Sequence, residues 1–373
     1  MNYTLQTKGV NCLAMFRIFI IASLILQSFA CGKKSAGPVV PVTDSVTFLS
    51  AVDLSSYPEI AAANIRFYTA NGVEKEMLSQ LKENGVNAVR LKLWVNPANQ
   101  FSGFDAVKQF AQSLHAKGFK VWLTVHYSDT WADPGQQQTP QRWQSLGIAA
   151  LSDTVANYTR RIITDIKPDI IQIGNEINTG FLHPLGHITS NYQNFIALLN
   201  RAASTVRTTS PTTKIMIHFA GIDAADWFFD QVKTVDYDII GLSYYPIWHG
   251  KSFTALKNRM QQLSNGYNKQ VVIAETAYPF TLSWNDWTNN IVGLTEQLIL
   301  PDYPATPDGQ KAFLRKVRTT VQEVPKGYGF CYWGGELVAW KGTQATNGSP
   351  WENQALFDFQ YKALPVLQEF KVQ

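Results

Sequence analysis

Two glutamates occupy positions where a carboxylate could take part in chemistry. Glu176 closely follows the apolar run Ile170–Gly174, and Glu275 directly follows the apolar run Val271–Ala274. A charge next to a buried strand is costly unless it is paired, hydrogen-bonded or functional. One such glutamate is more often a solvated or salt-bridged residue. Two of them, in Gly/Asn-rich and aromatic-rich contexts, favour a functional pair.

The chemistry that such a pair can perform is hydrolysis of a glycosidic bond. One group must be neutral so that it can protonate the leaving oxygen, and the other must be ionised so that it can attack the anomeric carbon. Their mutual repulsion raises the pKa of the acid. We predict a carboxyl separation of about 5–5.5 Å, which retention requires, rather than about 9 Å, which would indicate inversion.

Supporting groups lie at or near the ends of other apolar runs. Arg90 could hold Glu275 ionised, and Tyr244 could donate a hydrogen bond to it. Asn175 could bind the sugar hydroxyl next to the reacting carbon. Trp333 could stack on the apolar face of a sugar ring.

Other polar residues allow two interpretations. His126 could line the cleft or be a satisfied core histidine, whereas His218 is expected to be structural. His249 lies in a loop and could line the cleft. Asp129 could bind substrate or cap a helix or turn, and Asp133, just before a proline, is expected to cap a turn. The remaining aromatic candidates are Trp94 and Trp248 for the cleft, and Trp131 and Trp143 for loop packing.

These residues need a scaffold that brings strand ends together. From about residue 47, eight apolar runs of strand length alternate with helix-period stretches. The runs are Phe48–Val52, Ala88–Trp94, Val121–His126, Ile170–Gly174, Ile215–Phe219, Ile239–Tyr244, Val271–Ala274 and Gly329–Trp333. The predicted helices are Glu74–Gly85, Asp105–Gly118, Ile148–Ile166, Tyr192–Val206 and Gln310–Val321.

This alternation predicts an α/β fold, a single (β/α)8 TIM barrel over residues 47–373. A doubly wound open sheet is the competing architecture, but it usually has fewer strands and a glycine-rich first turn. Functional residues of a TIM barrel lie at the carboxyl ends of its strands. Strands four and seven lie roughly across the mouth from each other, so Glu176 and Glu275 can point into one cleft.

The N-terminus has the features of a targeting segment. Residues 1–31 predict a signal peptide with a positive Arg17, a short apolar stretch, and Cys31 as a lipidation site. Residues 32–46 predict a polar tether. We therefore expect an exported protein, anchored in the outer membrane as a lipoprotein or otherwise secreted.

Composition excludes several classes of function. The net charge is +4 over 373 residues, and no basic run suggests nucleic-acid binding. No dinucleotide motif, P-loop or zinc spacing is present, and Cys331 fits a small buried hydrophobe. The 11 tryptophans either fill a large core or bind sugar rings, and composition alone does not choose between these roles.

Seven segments in order resemble the endo-β-1,4-galactanases of glycoside hydrolase family 53. They are AVDLSSYPEI (51–60), NAVRLKLWVNP (87–97), HYSDTWADPG (126–135), IQIGNEIN (171–178), IGLSYYPIWHG (240–250), ETAYPF (275–280) and WENQALFDF (351–359). The resemblance covers the whole barrel. It implies endo cleavage, with retention, of β-1,4-galactan in pectin side chains, with Glu176 as acid/base and Glu275 as nucleophile.

The resemblance also bears on ligands and partners. The full set of expected substrate-binding residues is Arg90, Trp94, His126, Asp129, Asn175, Asn178, Tyr244, Trp248, His249 and Trp333. No cofactor is required and a monomer is expected, with membrane contact only through a lipid anchor. Some bacterial relatives hold calcium in an acidic loop after the seventh strand. Here residues 281–293 contain Asp286 as their only carboxylate, which argues against calcium but leaves it open.

Two other functions stay open at this point. A related retaining barrel could act on mannan or glucan, because residue chemistry alone does not separate an axial from an equatorial 4-hydroxyl. A non-catalytic, surface glycan-binding lipoprotein could keep Trp94, Trp248 and Trp333. Such a protein would have little reason to keep both glutamates, since paired carboxylates with shifted pKa values are costly to hold.

Overall fold

The computed structural model describes residues 47–372. The predicted signal peptide, the tether and Cys31 lie outside these residues. Within the described part of the chain, every helix is too short or too polar to cross a membrane.

Eight parallel strands close into a barrel in chain order. They are β1 (Leu49–Asp53), β2 (Ala88–Leu93), β3 (Lys120–Val125), β4 (Ile170–Ile173), β5 (Lys214–Ala220), β6 (Ile239–Ser243), β7 (Gln270–Thr276) and β8 (Gly327–Tyr332). Pairing of β1 with β8, with Ala51 opposite Cys331, completes the barrel. The predicted TIM barrel is confirmed, and each predicted strand matches to within a few residues.

Helices follow the strands on the outside. They are α1 (Tyr57–Ala62), α2 (Met77–Glu83), α3 (Phe104–Ala116), α4 (Ile148–Asp165), α5 (Tyr192–Thr209), α6 (Ala225–Gln231), α7 (Pro246–His249), α8 (Phe253–Tyr267) and α9 (Pro307–Gln322). Short 3₁₀ helices lie at Gln141–Trp143, Thr295–Gln297, Glu352–Gln354 and Pro365–Phe370. The five predicted helices are α2, α3, α4, α5 and α9; the sequence analysis had not singled out the others.

Gly85 shows how the chain is held at the closed end of the barrel. Its φ is +94°, and a Cβ there would lie 2.8 Å from the carbonyl oxygen of Phe370. Only glycine allows both this turn after α2 and the close approach of the C-terminal segment. Ser50 Oγ donates to the same carbonyl at 2.8 Å, so the C-terminus covers the base of the barrel.

The barrel interior has two chemically different halves. Its amino-terminal half is an apolar cluster made of Leu49, Ala51, Ala88, Trp122, Ile170, Met216, Ile239, Val272, Ala274, Tyr328 and Cys331. Side chains alternate along a strand, so Ala88 in this cluster is followed on the same face by Arg90 and then Lys92. Both cations lie at the carboxyl end, where the interior is polar and opens into a cleft. The fold therefore delivers charged groups to one end only.

Candidate active site

A cleft of about 760 Å³ opens at the carboxyl ends of the strands. Its polar lining includes Asp53, Glu59, Arg90, Lys92, His126, Asp133, Asn175, Glu176, His249, Glu275, Glu336 and Lys341. Its aromatic lining is Trp94, Phe101, Trp131, Tyr245, Trp248, Trp333, Trp340 and Trp351. Charged groups and indole rings thus share one concave surface, as a carbohydrate site requires.

The two predicted glutamates meet in this cleft. One carboxylate oxygen of Glu176 and one of Glu275 lie within 4.8 Å of each other. The closest oxygens are thus near the spacing of about 5–5.5 Å that accompanies retention, and far from the wider gap that inversion needs to admit a water. The barrel geometry expected from strands four and seven accounts for this approach.

Glu275 is held in a charged network. Arg90 donates to its Oε1 at 2.7 Å and to Asp53 Oδ2 at 2.7 Å, and Tyr245 donates its hydroxyl to Oε2 at 3.0 Å. Burial lowers the pKa of Arg90, but attraction to Glu275 and Asp53 outweighs burial and raises it. The pKa of the Tyr245 phenol is raised by burial and by Glu275, so it stays a donor.

Glu176 is held instead by neutral groups. Its backbone has a φ of +46°, a sparsely populated conformation that here turns the side chain into the cleft. Ser243 Oγ donates to its Oε1 at 2.5 Å. His218 lies behind Ser243, with its Nε2 2.9 Å from Ser243 Oγ.

The direction of these hydrogen bonds follows from the donors around His218. Its Nδ1 faces the Nε2 amide of Gln172 at 2.9 Å and the backbone N–H of Glu176 at 3.3 Å. Because two donors point at Nδ1, the ring proton lies on Nε2 and is donated to Ser243. Burial and Arg90 lower the pKa of His218 well below its usual value, so it stays neutral. A closed loop of hydrogen bonds therefore runs from the Glu176 amide back to its carboxylate.

The two carboxyls differ in their hold on a proton. Burial and the neighbouring Glu275 raise the pKa of Glu176 to about 8, against the lowering effect of Ser243. Burial also raises the pKa of Glu275, but Arg90 opposes that shift at 2.7 Å. The pKa of both carboxyls is raised, but only Glu275 has a cation that opposes the rise, so Glu176 is the better proton carrier of the two. This is the division of labour that an acid and a nucleophile need.

Glu176, His218 and Glu275 are close enough together to be considered as ligands of a metal ion. Their partners do not fit one. His218 uses Nε2 to donate and Nδ1 to accept, and the Arg90 cation already pairs with Glu275. A second cation at this place would be repelled by Arg90.

Comparison with known proteins places the chain in a family. The model described as "Glycosyl hydrolase family 53" matches residues 49–370. The chain belongs to glycosyl hydrolase family 53. A relative from Cellvibrio japonicus, named arabinogalactan endo-beta-1,4-galactanase, is 33% identical over 88% of this chain and 92% of its own. One from Neosartorya fischeri, named as a probable enzyme of that kind, is 37% identical over 75% and 82%.

A solved structure agrees with this assignment. The family 53 catalytic domain from Ignisphaera aggregans has a TM-score of 0.82 and 37% identity, covering 90% of this chain and 97% of its own. The match spans the barrel, including the strand ends that form the cleft. The resemblance expected from the seven sequence segments is confirmed, and the protein is a glycoside hydrolase.

For this family 53 hydrolase, the prediction of the tyrosine that donates to Glu275 was wrong by one position. Tyr244 does not reach Glu275: its ring packs 5.7 Å from that of Phe253, outside the barrel, and its hydroxyl has no partner among the described residues. The hydrogen bond predicted for it comes from Tyr245. Alternation explains this, because Ser243 points inward and the inward-facing residues are therefore two apart.

Two further residues that were expected to bind substrate lie outside the cleft lining. Asp129 does not line the cleft; its Oδ2 accepts from the backbone N–H of Gln141 at 2.9 Å and fixes the loop after β3. Asn178 pairs with both backbone groups of Ala220, at 2.8 and 3.0 Å, and so ties the end of β4 to β5. Both side chains stabilise the backbone beside the site.

The other expected substrate-binding residues line the cleft. They are Arg90, Trp94, His126, Asn175, Trp248, His249 and Trp333. His126 is buried, and its Nδ1 accepts from the Ala132 amide at 3.0 Å, so it both lines the cleft and orders the loop after β3. Asp133 caps its turn as expected, accepting from the Gly135 amide at 2.8 Å, and also lines the cleft. Their contacts with sugar stay predictions.

Sequence reasoning missed a second buried cation in the cleft, Lys92. Lys92 is buried, with its Nζ 5.2 Å from the ring centre of Trp94 and 4.7 Å from that of Trp131. Burial lowers its pKa, against the attraction of Asp53 and Glu336. Burial and Asp53 raise the pKa of Glu336 to about 8. A period-two count from Arg90 would have found Lys92.

Asp286 has a carboxylate neighbour, Glu352, that lies outside residues 281–293 and was therefore not predicted. Both Asp286 and Glu352 are buried, and burial and then Asp286 raise the pKa of Glu352. One oxygen of each, Asp286 Oδ2 and Glu352 Oε2, has no hydrogen-bond partner among the described residues. Two such oxygens fit the ligand preference of a hard cation such as Ca²⁺.

Proposed function

We propose that this family 53 hydrolase is an endo-β-1,4-galactanase that cleaves galactan with retention. The observation that carries the proposal is the pair Glu176 and Glu275, within 4.8 Å, with Ser243 donating to Glu176 and Arg90 donating to Glu275. The substrate is taken from relatives at 33% and 37% identity that are named as galactanases. The proposed substrates include arabinogalactan that has the same β-1,4-galactan backbone.

In the first step Glu275 attacks the anomeric carbon, and the bond to the leaving oxygen breaks. Glu176 transfers its proton to that oxygen, so the new sugar end leaves as a neutral alcohol. Ser243 already donates to Oε1 of Glu176, so the acidic proton sits on Oε2 and is free for the substrate. Arg90 and Tyr245 hold the carboxylate of Glu275 in position for attack.

In the second step the glycosyl ester on Glu275 is hydrolysed. Glu176, now ionised, takes a proton from a water as that water attacks the anomeric carbon. The bond between that carbon and Glu275 breaks, which returns both groups to their starting states. Glu275 loses its negative charge in the first step, which removes the repulsion that had raised the pKa of Glu176. The pKa of Glu176 therefore falls, and the group stays ionised when it must act as base.

We further propose export to the cell envelope, with Cys31 as lipid anchor and a monomeric catalytic barrel. The support is the sequence of residues 1–46, in which Arg17 and an apolar stretch precede Cys31. A polysaccharide is too large to enter a cell intact, so an endo-acting enzyme is useful outside. Labelling with a radioactive fatty acid, compared between the wild-type protein and Cys31→Ala, tests the anchor.

We also propose that Asp286 and Glu352 hold a structural Ca²⁺ ion. The ion would neutralise two buried carboxylates and brace the loop after β7. A chelator is then expected to lower the melting temperature of the wild type by several degrees and to leave Asp286→Asn unchanged. Equal melting curves for the wild type with and without chelator would reject the ion.

Product analysis on four polymers tests the proposed activity. Purified, delipidated protein is offered galactan, arabinogalactan, mannan and cellulose in parallel. Short galacto-oligosaccharides from the galactans alone support substrate and endo action together. Release from mannan or cellulose would keep the barrel and the glutamates but reject galactan as substrate, and binding without release from any polymer would favour the glycan-binding lipoprotein.

A further inference from the structure

The loop after β7, residues 281–293, presents two tryptophans to solvent. Trp284 is 51% exposed and Trp287 is 60% exposed. Neither lines the cleft, and among the described residues neither ring packs against another aromatic ring. Exposed indoles offer broad apolar faces to a ligand that can cover them.

The backbone that carries these indoles is fixed. Glu352 Oε1 accepts from the amides of Asn285 and Asp286 at 2.6 and 3.3 Å. Asp286 Oδ1 accepts from the Thr288 amide at 2.7 Å, and the Trp287 amide donates to Ala345 at 2.9 Å. A platform ordered before binding loses little conformational entropy when a ligand arrives.

The chemistry of the loop surface favours a neutral polar ligand. The only charged side chain in residues 281–293, Asp286, is buried at 3% exposure. The exposed side chains are Ser283, Trp284, Trp287 and Asn289, that is, hydroxyl, amide and indole. A sugar ring matches both parts, with C–H faces for the indoles and hydroxyls for the polar groups. An anionic surface would instead call for Lys or Arg.

The loop is continuous with the wall of the cleft. Ile291 donates its amide to Pro350 at 2.8 Å, and Pro350 lies in the segment that lines the cleft together with Gly348, Ser349 and Trp351. The loop that carries the indoles is therefore hydrogen-bonded to the wall that the substrate meets. A polymer long enough to pass over this wall reaches them, whereas a short oligosaccharide in the cleft does not.

We propose that Trp284 and Trp287 form a second glycan-binding site, outside the cleft, for the neutral galactan chain that the enzyme cleaves. This proposal rests on the proposed function, because it takes the same polymer as its ligand. The site raises the local concentration of polymer and does not touch the reacting bond. Its contribution therefore depends on substrate length.

The test uses three variants of the full chain: Trp284→Ala, Trp287→Ala and the double variant. Trp227→Ala is the matched control, since Trp227 is 47% exposed on α6 and also lies outside the cleft lining. Retention on a galactan affinity gel is measured in a Glu275→Gln background. The kcat/KM is measured in the active enzyme on galactan polymer and on a short galacto-oligosaccharide. Melting temperatures confirm that each variant is folded.

The double variant is expected to lose about tenfold or more in gel affinity and in kcat/KM on polymer, with kcat/KM on the oligosaccharide unchanged. Trp→Phe at either position should restore part of the polymer binding, and Trp227→Ala should behave as wild type. Polymer binding equal to that of the Trp227→Ala control would overturn the proposal. So would a parallel loss of kcat/KM on the short substrate. Failure of wild type to cleave galactan while it cleaves another polymer overturns the proposed function instead, and the same variants are then compared on that polymer.

Discussion

The two glutamates of the cleft are identical residues in opposite surroundings. Glu275 lies against a guanidinium 2.7 Å away and a phenol 3.0 Å away. Glu176 has no cation within salt-bridge distance among the described residues and accepts from the hydroxyl of Ser243. The charged side stabilises a carboxylate, and the neutral side tolerates a carboxylic acid. The roles of acid/base and nucleophile therefore follow from the side chains around each carboxyl, since the two residues are of the same type.

The largest effect is expected from neutralising either glutamate. Glu275→Gln should lower kcat by about 10⁴-fold or more, because no other group on this side can form the glycosyl ester, while oligosaccharide binding stays near wild type. Steady-state kinetics and calorimetric titration measure the two quantities. Hydrolysis of polymer near the wild-type rate would reject Glu275 as nucleophile.

Glu176→Gln sharpens the contrast because its defect should depend on the leaving group. With polymer the loss should be about 10²–10⁴-fold, the usual contribution of a general acid. With an aryl galactoside that carries a good leaving group, formation of the ester should lose much less, since the leaving oxygen needs no proton. A burst of phenol release followed by slow turnover would identify Glu176 as the acid/base. An equal loss on both substrates would assign it another role.

Removing Arg90 should expose the energetic asymmetry of the two sides. Arg90→Met leaves the buried carboxylates of Asp53 and Glu275 facing each other without a cation, which should cost about 3–5 kcal/mol of unfolding free energy. Arg90→Lys keeps the charge but not the fork that spans both carboxylates, so it should lose less. Urea denaturation measures both. If the methionine variant were as stable as wild type, the ion pair would not be what keeps Glu275 ionised.

Tyr245 and Tyr244 form a matched pair of neighbours that face opposite ways. Tyr245→Phe removes the donor to Glu275 and should lower kcat/KM by about 10- to 100-fold, as expected for a lost hydrogen bond to a charged group. Tyr244→Phe removes a buried hydroxyl that has no partner among the described residues, so activity should hold and stability should stay within about 0.5 kcal/mol. The reverse result would restore Tyr244 to the site.

The smallest expected effect is a shift of a pH profile. The hydrogen bond from Ser243 favours the ionised form of Glu176, so Ser243→Ala should raise the pKa of Glu176 further. The alkaline limb of kcat/KM reports loss of the acid's proton and should therefore move to higher pH. Ser264→Ala, a buried serine on α8, is the control and should leave the profile in place. A downward shift would contradict the donor role of Ser243.

Much of the fold and the positions of the two glutamates could be predicted because the signals are local. A strand of this parallel barrel is buried on both faces, so a strand such as β6, IIGLS, is a nearly continuous apolar run. Where a run ends, a charge such as Glu275 stands out. The helix ends at Gly85 and Gly118 were equally local, because both glycines have positive φ.

The orientation of side chains could not be predicted by the same logic. In β6, Ile239 points into the barrel and Ile240 points out, yet the two are the same residue type. Nothing local distinguishes the inner face, so Tyr244 and Tyr245 were equally good candidates. In β7 an irregularity in the pairing with β6 places Ser243 opposite Glu275 and lets Ala274 and Glu275 both serve the interior. A bulge of this kind has no signature in the apolar pattern.

Interactions between residues far apart in the chain could not be predicted either. The charges of Lys92, on β2, and Glu336, after β8, attract each other, and the carboxylate of Glu352 accepts from the amide of Asp286, 66 positions away. Such interactions arise when the barrel closes. The alternation of strands and helices predicts that the barrel closes, but it does not predict which distant side chains then lie together. Asn178 and Asp129 show the opposite error, since polar residues beside an active site also serve to fix its loops.

The ion network around Arg90 joins β1, β2 and β7, and Arg90 and Glu275 are 185 residues apart in the chain. No contiguous half of the barrel contains both glutamates together with the cation and its two counter-ions. The first four strands hold Asp53, Arg90 and Glu176, and the last four hold Ser243, Tyr245 and Glu275. Cutting the chain between β4 and β5 therefore separates Glu176 from Ser243 and Glu275 from Arg90, so we expect fragments of this enzyme to become active only by reassembling the closed barrel.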